Sequence, residues 1–288
     1  MSAKLRERAF LLGARKSLVG VITEGADTGA PADRPTIVIL NAGIIHRVGP
    51  GRLTVLLARA LAAQGFTVLR FDLSGLGDSE ARSDGLGLLE ATLADIREAL
   101  DWLESTRGAR RIVLAGLCSG ANYSLLYAGT DPRVVGVALL DPATPRTRRY
   151  YIHHYLPRLF RLRVWLNLLR GRHPGVKRIA RSLAVRGDEA REGWMPDLQG
   201  PEVRAELERA YQGALGQGTQ FFMAFTSGLE DQHNYREQVI DAFPNVPFRN
   251  RLRLEYFQAA DHTFTSAADR ARLFAMLAEW ARDTRFGA

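Results

Sequence analysis

Apolar runs rich in β-branched residues alternate with amphipathic helical segments along most of this chain. Such alternation is typical of a mostly parallel sheet covered by helices on both faces, so the sequence predicts an α/β fold. The predicted strands cover residues 8–14, 17–24, 36–42, 66–73, 111–117, 134–140, 221–225 and 254–258. The predicted helices cover residues 53–64, 88–105, a segment that begins at 119, and 267–283.

The alternation is interrupted once, between about residues 145 and 218. Twelve Lys and Arg residues lie between Pro142 and Gly187, with no Asp or Glu among them, and they exceed the formal net charge of +8. The rest of the chain is therefore net negative. Because the interrupted stretch is also aromatic and helical in period, it predicts a helical, Arg-rich lid (145–218) inserted into a core formed by residues 1–144 and 219–288.

Composition excludes several classes of protein. With 46% hydrophobic and 24% charged residues, the chain has the composition of an ordinary globular protein, which argues against disorder. The sequence has neither a long uncharged apolar run nor the apolar core of a signal peptide, so we expect a soluble cytoplasmic protein. A single cysteine excludes an intrachain disulfide and Cys-rich zinc spacing, and we expect no cofactor and no metal.

That one cysteine stands at an informative position. The predicted strand 111–117 ends in Gly116-Leu117-Cys118-Ser119-Gly120 and runs directly into a helical pattern. A nucleophile on a strand-to-helix turn needs small neighbours, because its backbone brings the flanking residues close together. Cys118 is therefore a candidate nucleophile; the alternative is a small buried hydrophobic residue.

These residues resemble the nucleophile elbow Gly-x-Ser-x-Gly of α/β-hydrolases, with cysteine in place of serine as in dienelactone hydrolases. The chain also resembles exosortase-system-associated α/β-hydrolases in the segment Asn-Ala-Gly-Ile-Ile-His-Arg-Val-Gly-Pro (41–50) and in Arg-Phe-Asp-Leu-Ser-Gly (70–75). The resemblance covers nearly the whole chain outside the lid and implies the α/β-hydrolase fold. In the Asp-x-x-Gly-x-Gly-x-Ser turn, we interpret Asp72, Asp78 and Ser79 as structural.

The resemblance also implies the partners of the nucleophile. In this family an acid follows a later strand and a histidine follows the last one. His262 directly follows the final predicted strand and is the expected base, whereas His233 is a poorer match because it lies beside the expected acid. For that acid the resemblance favours Asp231, three residues past Gly228, with Glu230 as the competitor.

An oxyanion hole needs two backbone N–H groups directed at the developing charge. The resemblance implies that one is the amide of Ser119. The other belongs to the loop after the strand 36–42, for which we choose Gly43, with Ile44 as the alternative. His46 and Arg47 follow this loop and are candidate substrate contacts.

The resulting hypothesis is an esterase or thioesterase that acts through a Cys118 acyl-enzyme. Because a thioester intermediate reacts with amines and thiols more readily than an oxygen ester does, an acyltransferase or cyclase is the alternative. A non-catalytic binding scaffold is a third reading, which a complete Cys118, Asp231 and His262 set argues against.

The basic lid suggests a partner. Aromatic and aliphatic residues alternate with its arginines, so one helical face could cover a hydrophobic acyl pocket while the guanidinium groups face outward. Those apolar residues are Tyr150, Tyr151, Tyr155, Leu156, Leu159, Phe160, Trp165, Leu166 and Leu169. Docking of an acidic acyl-carrier protein or of an anionic membrane surface is one interpretation, and a solvated basic surface is the other. Nucleic-acid binding is disfavoured because no binding motif is present.

Overall fold

The computed structural model describes residues 4–25, 34–159 and 200–282, and within helix α4 the side chains up to His154. The strands are β1 (Leu5–Leu12), β2 (Leu18–Gly25), β3 (Thr36–Ile39), β4 (Val68–Phe71), β5 (Ile112–Leu117), β6 (Val134–Leu140), β7 (Gln220–Thr226) and β8 (Leu252–Phe257). The helices are α1 (Leu53–Ala62), α2 (Leu88–Arg107), α3 (Ser119–Ala128), α4 (Arg148–Leu159), α5 (Pro201–Gly216), α6 (Gln238–Ala242) and α7 (Ala267–Ala281).

The strands form one sheet in the order β1-β2-β4-β3-β5-β6-β7-β8. The β1–β2 and β2–β4 pairs are antiparallel, and every other neighbouring pair is parallel. The prediction of a mostly parallel sheet is therefore confirmed. Because parallel strands have the same direction, the carboxyl ends of β3, β5, β6, β7 and β8 lie at one edge of the sheet.

Each face of the sheet carries its own hydrophobic core. Apolar residues of α2, α3 and α5 pack on one face, and those of α1 and α7 pack on the other. Strand β5 contributes to both: Ile112 and Leu114 lie in the first core, whereas Val113, Ala115 and Leu117 lie in the second. Burial on both faces explains why the sequence of β5 is a continuous apolar run.

The first strand differs from its prediction as residues 8–14. It begins at Leu5 and ends at Leu12, where a turn follows with Gly13 at φ 79°. Arg6, Glu7 and Arg8 are exposed, because β1 is the edge strand of the sheet. Because these side chains are charged, the hydrophobic pattern of the sequence does not indicate the first residues of this strand.

The insertion between β6 and β7 is described only at its two ends. Helix α5 packs on the core, with Tyr211 fully buried and its ring 5.8 Å from that of Phe221 and 5.1 Å from that of Phe243. This helix therefore covers one face of the sheet. The division into a core of residues 1–144 and 219–288 and a lid of residues 145–218 stays a prediction. Residues 160–199 of the predicted lid lie outside the described residues.

Helix α6 did not stand out in the sequence, because it is a single short element between two loops. A search of the helices in the described ranges finds none that is long and apolar enough to cross a membrane.

Candidate active site

Cys118 joins β5 to α3 in a strained turn. Its backbone has φ 57° and ψ −117°, a conformation that costs energy for any residue with a Cβ. A Cβ on Gly116 would lie 2.2 Å from the carbonyl carbon of Gly120, and one on Gly120 would lie 2.5 Å from the Asn41 oxygen. The two flanking glycines are therefore required by close backbone approach, as the motif predicts, and they leave Cys118 partly exposed at the carboxyl edge of the sheet.

His262 lies in the loop that joins β8 to α7. Its Nδ1 is 2.7 Å from Oδ2 of Asp141, and its ring also hydrogen-bonds the Cys118 side chain. Burial disfavours the imidazolium, but the hydrogen bonds to Asp141 and Cys118 and the charges of these two groups outweigh burial and raise the pKa of His262 to about 9. The ring therefore carries a positive charge at neutral pH.

Asp141 follows directly after β6. Its side chain is 1% exposed, and its backbone has φ 45°. Oδ1 accepts a hydrogen bond from the Thr226 amide at 2.7 Å, and Oδ2 accepts one from the Thr226 hydroxyl at 2.7 Å. These bonds from the end of β7 fix the carboxylate in the orientation in which it contacts His262.

The structure places Asp141, and not the predicted acid Asp231, against Nδ1 of His262. Asp231 is exposed, and its backbone carbonyl, 2.8 Å from Nε of Arg146, also accepts a hydrogen bond from the Tyr150 hydroxyl. The competitor Glu230 is exposed as well. Strand β7 ends at Thr226, and the short 3₁₀ turn Ser227–Leu229 lies between the strand and both carboxylates.

His233 is excluded from the site by its surroundings. The ring is 3% exposed and stacks on Phe225 with centroids 3.8 Å apart, and burial lowers its pKa to about 3. Among the described residues, neither ring nitrogen has a hydrogen-bond partner. Of these two histidines, the structure brings only His262, the predicted base, to Cys118.

The two predicted oxyanion residues, Gly43 and Ser119, are in contact, but the contact is made by the Ser119 side chain and not by its amide. The backbone N–H of Gly43 donates to Oγ of Ser119, with the nitrogen and oxygen 2.7 Å apart. Ser119 itself is the first residue of α3, so its amide lies at the positive end of that helix. The alternative residue Ile44 has a side chain that is 74% exposed.

Of the two candidate substrate contacts, Arg47 requires correction. Its guanidinium forms ion pairs with the buried Asp72 and, at 2.6 Å, with Asp78, so it is committed to the protein rather than free for a substrate. His46 lies beside it and is exposed.

The interpretation of the Asp72 turn as structural is confirmed. Asp72 accepts hydrogen bonds from the backbone amides of Arg47 and Asp78, and its carbonyl accepts one from the Ser79 hydroxyl at 2.7 Å. Asn41 adds a second connection, because its Nδ2 donates to Asp72 while its Oδ1 accepts from the Leu73 amide. This network holds the loop that carries Gly43.

Two tyrosines that the sequence did not single out border the site. Burial raises the pKa of Tyr123, and a negative charge on Cys118 raises it further. Burial likewise raises the pKa of Tyr256, with smaller contributions from Glu230 and Asp141. No group of three or more His, Cys, Asp or Glu side chains with metal-binding geometry occurs in ranges 4–25, 34–159 and 200–282.

Comparison with known proteins identifies the family of the chain. Residues 44–285 match the family model described as "Alpha/beta hydrolase family". No curated protein sequence is significantly similar to the chain.

Solved structures agree on the fold. An esterase of Pyrococcus furiosus superimposes with a TM-score of 0.59 at 12% identity, over 97% of this chain and 90% of that one. The esterase domain of a Rhodothermus marinus protein gives a TM-score of 0.53 at 19% identity, over 97% and 98%. An alpha-beta serine hydrolase homologue of Coxiella burnetii gives 0.55 at 17%, over 94% and 96%. At these identities the likeness establishes a shared fold.

Proposed function

Because the chain belongs to the alpha/beta hydrolase family, we propose that it hydrolyses carboxylic esters or thioesters through an acyl-enzyme on Cys118. The observation that carries the proposal is the hydrogen-bonded series from Cys118 through His262 to Asp141. These three residues follow β5, β8 and β6, and they meet at the carboxyl edge of the sheet. A nucleophile, a base and an orienting acid in this arrangement are the components of covalent acyl transfer.

In the first half of the proposed reaction, the thiolate of Cys118 attacks the substrate carbonyl carbon. The carbonyl electron pair moves onto oxygen, which becomes an oxyanion beside the Ser119 amide. When the oxyanion collapses, the bond to the leaving group breaks and the imidazolium of His262 gives that group its proton. A thioester on Cys118 and a free alcohol or thiol result.

In the second half, the neutral His262 removes a proton from water, and the resulting hydroxide attacks the thioester carbonyl. Collapse of this second oxyanion breaks the carbon–sulfur bond, releases the carboxylic acid and restores the thiolate and imidazolium. Asp141 accepts a hydrogen bond from the Nδ1–H of His262 throughout the reaction, which directs Nε2 towards Cys118 and stabilises the imidazolium. Asp141 therefore replaces Asp231 in our proposal as the orienting acid.

The identity of the acyl acceptor distinguishes a hydrolase from an acyltransferase or cyclase. Family membership supports water as the acceptor, and no contact among the described residues favours an amine or alcohol. The connected Cys118, His262 and Asp141 argue against a non-catalytic scaffold, because a scaffold has no need of an imidazole held in place by a buried carboxylate.

The proposed partner surface rests on the arginines of the predicted lid, most of which lie outside the described residues. Two that are described contact the chain itself. Arg146 donates to the carbonyl of Asp231, and Arg149 lies 4.7 Å above the Tyr235 ring and 3.6 Å from Asp241. Docking of an acidic acyl carrier or of an anionic membrane therefore stays a prediction. Added salt would slow turnover of carrier-bound but not of small substrates if it is correct.

Intact-protein mass spectrometry tests the catalytic proposal. The protein is mixed with a panel of p-nitrophenyl esters and acyl thioesters of increasing chain length, and the mass of the wild type is compared with those of Cys118→Ala and His262→Ala. We expect an acyl adduct on the wild type, none on Cys118→Ala, and an adduct on His262→Ala that persists because water is no longer activated. Absence of both an adduct and a released alcohol or thiol with every donor would favour a binding scaffold.

Hydroxylamine and a soluble amine added to the same mixtures separate hydrolysis from transfer. A hydrolase releases the free acid as its main product at millimolar amine, whereas an acyltransferase releases the amide. Product ratios from these mixtures therefore decide between the two proposed classes of enzyme.

A further inference from the structure

We infer that the side-chain hydroxyl of Ser119 donates a hydrogen bond to the oxyanion, in addition to the backbone amide of the same residue. The inference rests on the proposed function, because an oxyanion forms only if Cys118 attacks a carbonyl. The observation behind it is the bond from the Gly43 amide to Oγ of Ser119.

A backbone amide has one hydrogen to donate. That of Gly43 is engaged by Ser119 Oγ at a nitrogen–oxygen distance of 2.7 Å, which is a strong hydrogen bond. The Gly43 amide and a substrate oxygen therefore do not meet directly in this arrangement. The hydroxyl lies between the loop and α3, and it has a hydrogen of its own.

The hydrogen of this hydroxyl is not used elsewhere in the described part of the chain. Helical hydroxyls usually donate to the carbonyl four residues earlier, as Thr92 does to Leu88 at 2.8 Å and Ser124 does to Gly120 at 2.7 Å. Ser119 is the first residue of α3 and has no helical carbonyl behind it. Among the described residues, none accepts a hydrogen bond from its hydroxyl.

The position of Ser119 places its hydroxyl next to the predicted oxyanion loop. The residue follows Cys118 directly, and its hydroxyl bridges α3 to the loop that the family resemblance assigns to the oxyanion hole. An oxygen that accepts from an amide becomes a stronger donor, because successive hydrogen bonds polarise one another. The Gly43 amide would then act on the oxyanion through Ser119 Oγ.

The hydrogen bond between the Gly43 amide and Ser119 Oγ is held in place by packing and by hydrogen bonds around it. Gly120 packs so closely on the Asn41 carbonyl that no Cβ fits between them, and Asn41 is itself bonded to the buried Asp72. The distance from Gly43 to Ser119 is therefore fixed before a substrate arrives, which is the condition for electrostatic stabilisation of a transition state. The competing reading is that Ser119 Oγ occupies the oxyanion position and has to rotate away.

Two reactions of Cys118 distinguish these readings. Hydrolysis of a p-nitrophenyl ester passes through an oxyanion, whereas alkylation by iodoacetamide displaces iodide at an sp³ carbon and does not. For Ser119→Ala we expect kcat for the ester to fall on the order of 100-fold, KM to change less than about 3-fold, and the alkylation rate to stay unchanged. Ser119→Thr keeps the hydroxyl and is expected to restore most of kcat.

Ser105→Ala is the matched control. It removes an exposed hydroxyl of helix α2 that donates to the Trp102 carbonyl at 3.1 Å, and its kinetics are expected to equal those of the wild type. An unchanged kcat in Ser119→Ala, with the wild type acylated normally, would overturn the inference alone. An increased kcat would show that the hydroxyl blocks the site, which also overturns it. A wild type that neither forms an acyl adduct nor releases p-nitrophenol would overturn the proposed function and the inference together.

Discussion

Nδ1 of His262 lies 2.7 Å from Oδ2 of Asp141, although the two residues are 121 positions apart in the sequence. The contact is possible because β6 and β8 flank β7, and Thr226 at the end of β7 holds the carboxylate between them. Asp141 is buried and accepts two hydrogen bonds from Thr226, whereas His262 is partly exposed beside Cys118. The sheet thus provides a fixed acid for a base that is open to substrate.

We expect Asp141→Asn to lower kcat/KM for ester hydrolysis by about 10³- to 10⁴-fold, because an amide neither stabilises the imidazolium nor fixes its tautomer. Asp231→Asn is the matched control. Asp231 is exposed, and its contacts with Arg146 and Tyr150 use the backbone carbonyl, so this variant should stay within about 2-fold of the wild type. A large loss in Asp231→Asn with little effect in Asp141→Asn would reverse our assignment.

The difference between these two aspartates shows what the sequence could and could not predict. The turn at Cys118 and the position of His262 after the last strand depend on local pattern and chain order, and both were correctly placed. The choice of acid depends on which strand end lies nearest the imidazole, a property of the folded sheet. A signal was present, since Asp141 directly follows the buried run Val134–Leu140, and carboxyl ends of parallel strands meet at one edge.

Arg47 illustrates a second limit. Its place beside the loop of Gly43 suggested a substrate contact, because both are near in sequence. Its ion-pair partner Asp72 is 25 residues away, on the turn after β4, and only the pairing of β3 with β4 brings the two together. The sequence shows that a charged residue lies near the site, but it does not show that this charge forms an ion pair with a buried residue.

The raised pKa of His262 predicts a pH-dependent contribution to stability. An imidazole titrates near 6.5 in the unfolded chain and at about 9 in the folded protein, so folding favours the protonated form. The contribution is fully present below about pH 6.5 and is lost as pH rises through about 9. It is on the order of 3 to 4 kcal/mol, at about 1.4 kcal/mol for each pKa unit between about 6.5 and about 9.

Urea unfolding at pH 6, 7.5 and 9.5 measures this contribution as the difference between the wild type and His262→Gln. We expect the stability advantage of the wild type to shrink as pH increases. Parallel stability curves for the two proteins would contradict a linkage between folding and the protonation of His262.

The imidazolium also predicts that Cys118 is a reactive thiol. A positive charge that hydrogen-bonds the sulfur favours the thiolate, which is the form that iodoacetamide alkylates. We expect alkylation at neutral pH to be faster in the wild type than in His262→Ala, because the variant lacks the charge that stabilises the attacking sulfur.

Alkylation rates between pH 5 and 10, followed by mass spectrometry, provide the measurement. Because Cys118 is the only cysteine of the chain, every adduct of one carbamidomethyl group reports on this residue. Wild-type rates that coincide with those of His262→Ala at every pH would exclude an activated thiolate–imidazolium pair.

Asp72 is expected to stabilise both the fold and the loop of Gly43. Its carboxylate is fully buried and receives bonds from Asn41, from the Arg47 guanidinium and from two backbone amides. Asp72→Asn removes the fully buried one of the two carboxylates that pair with the Arg47 guanidinium, so we expect the free energy of unfolding to fall by about 3 kcal/mol. Displacement of the Gly43 loop should also lower kcat.

The matched control for Asp72→Asn is Asp78→Asn, which removes the other carboxylate of the same arginine. The Asp78 side chain is 67% exposed, so water compensates for the lost ion pair and the cost should stay below about 1 kcal/mol. Urea unfolding gives both values, and ester kinetics show whether the loop has moved. Equal losses in the two variants would mean that the Arg47 charge, and not the buried network around Asp72, holds the loop beside Ser119.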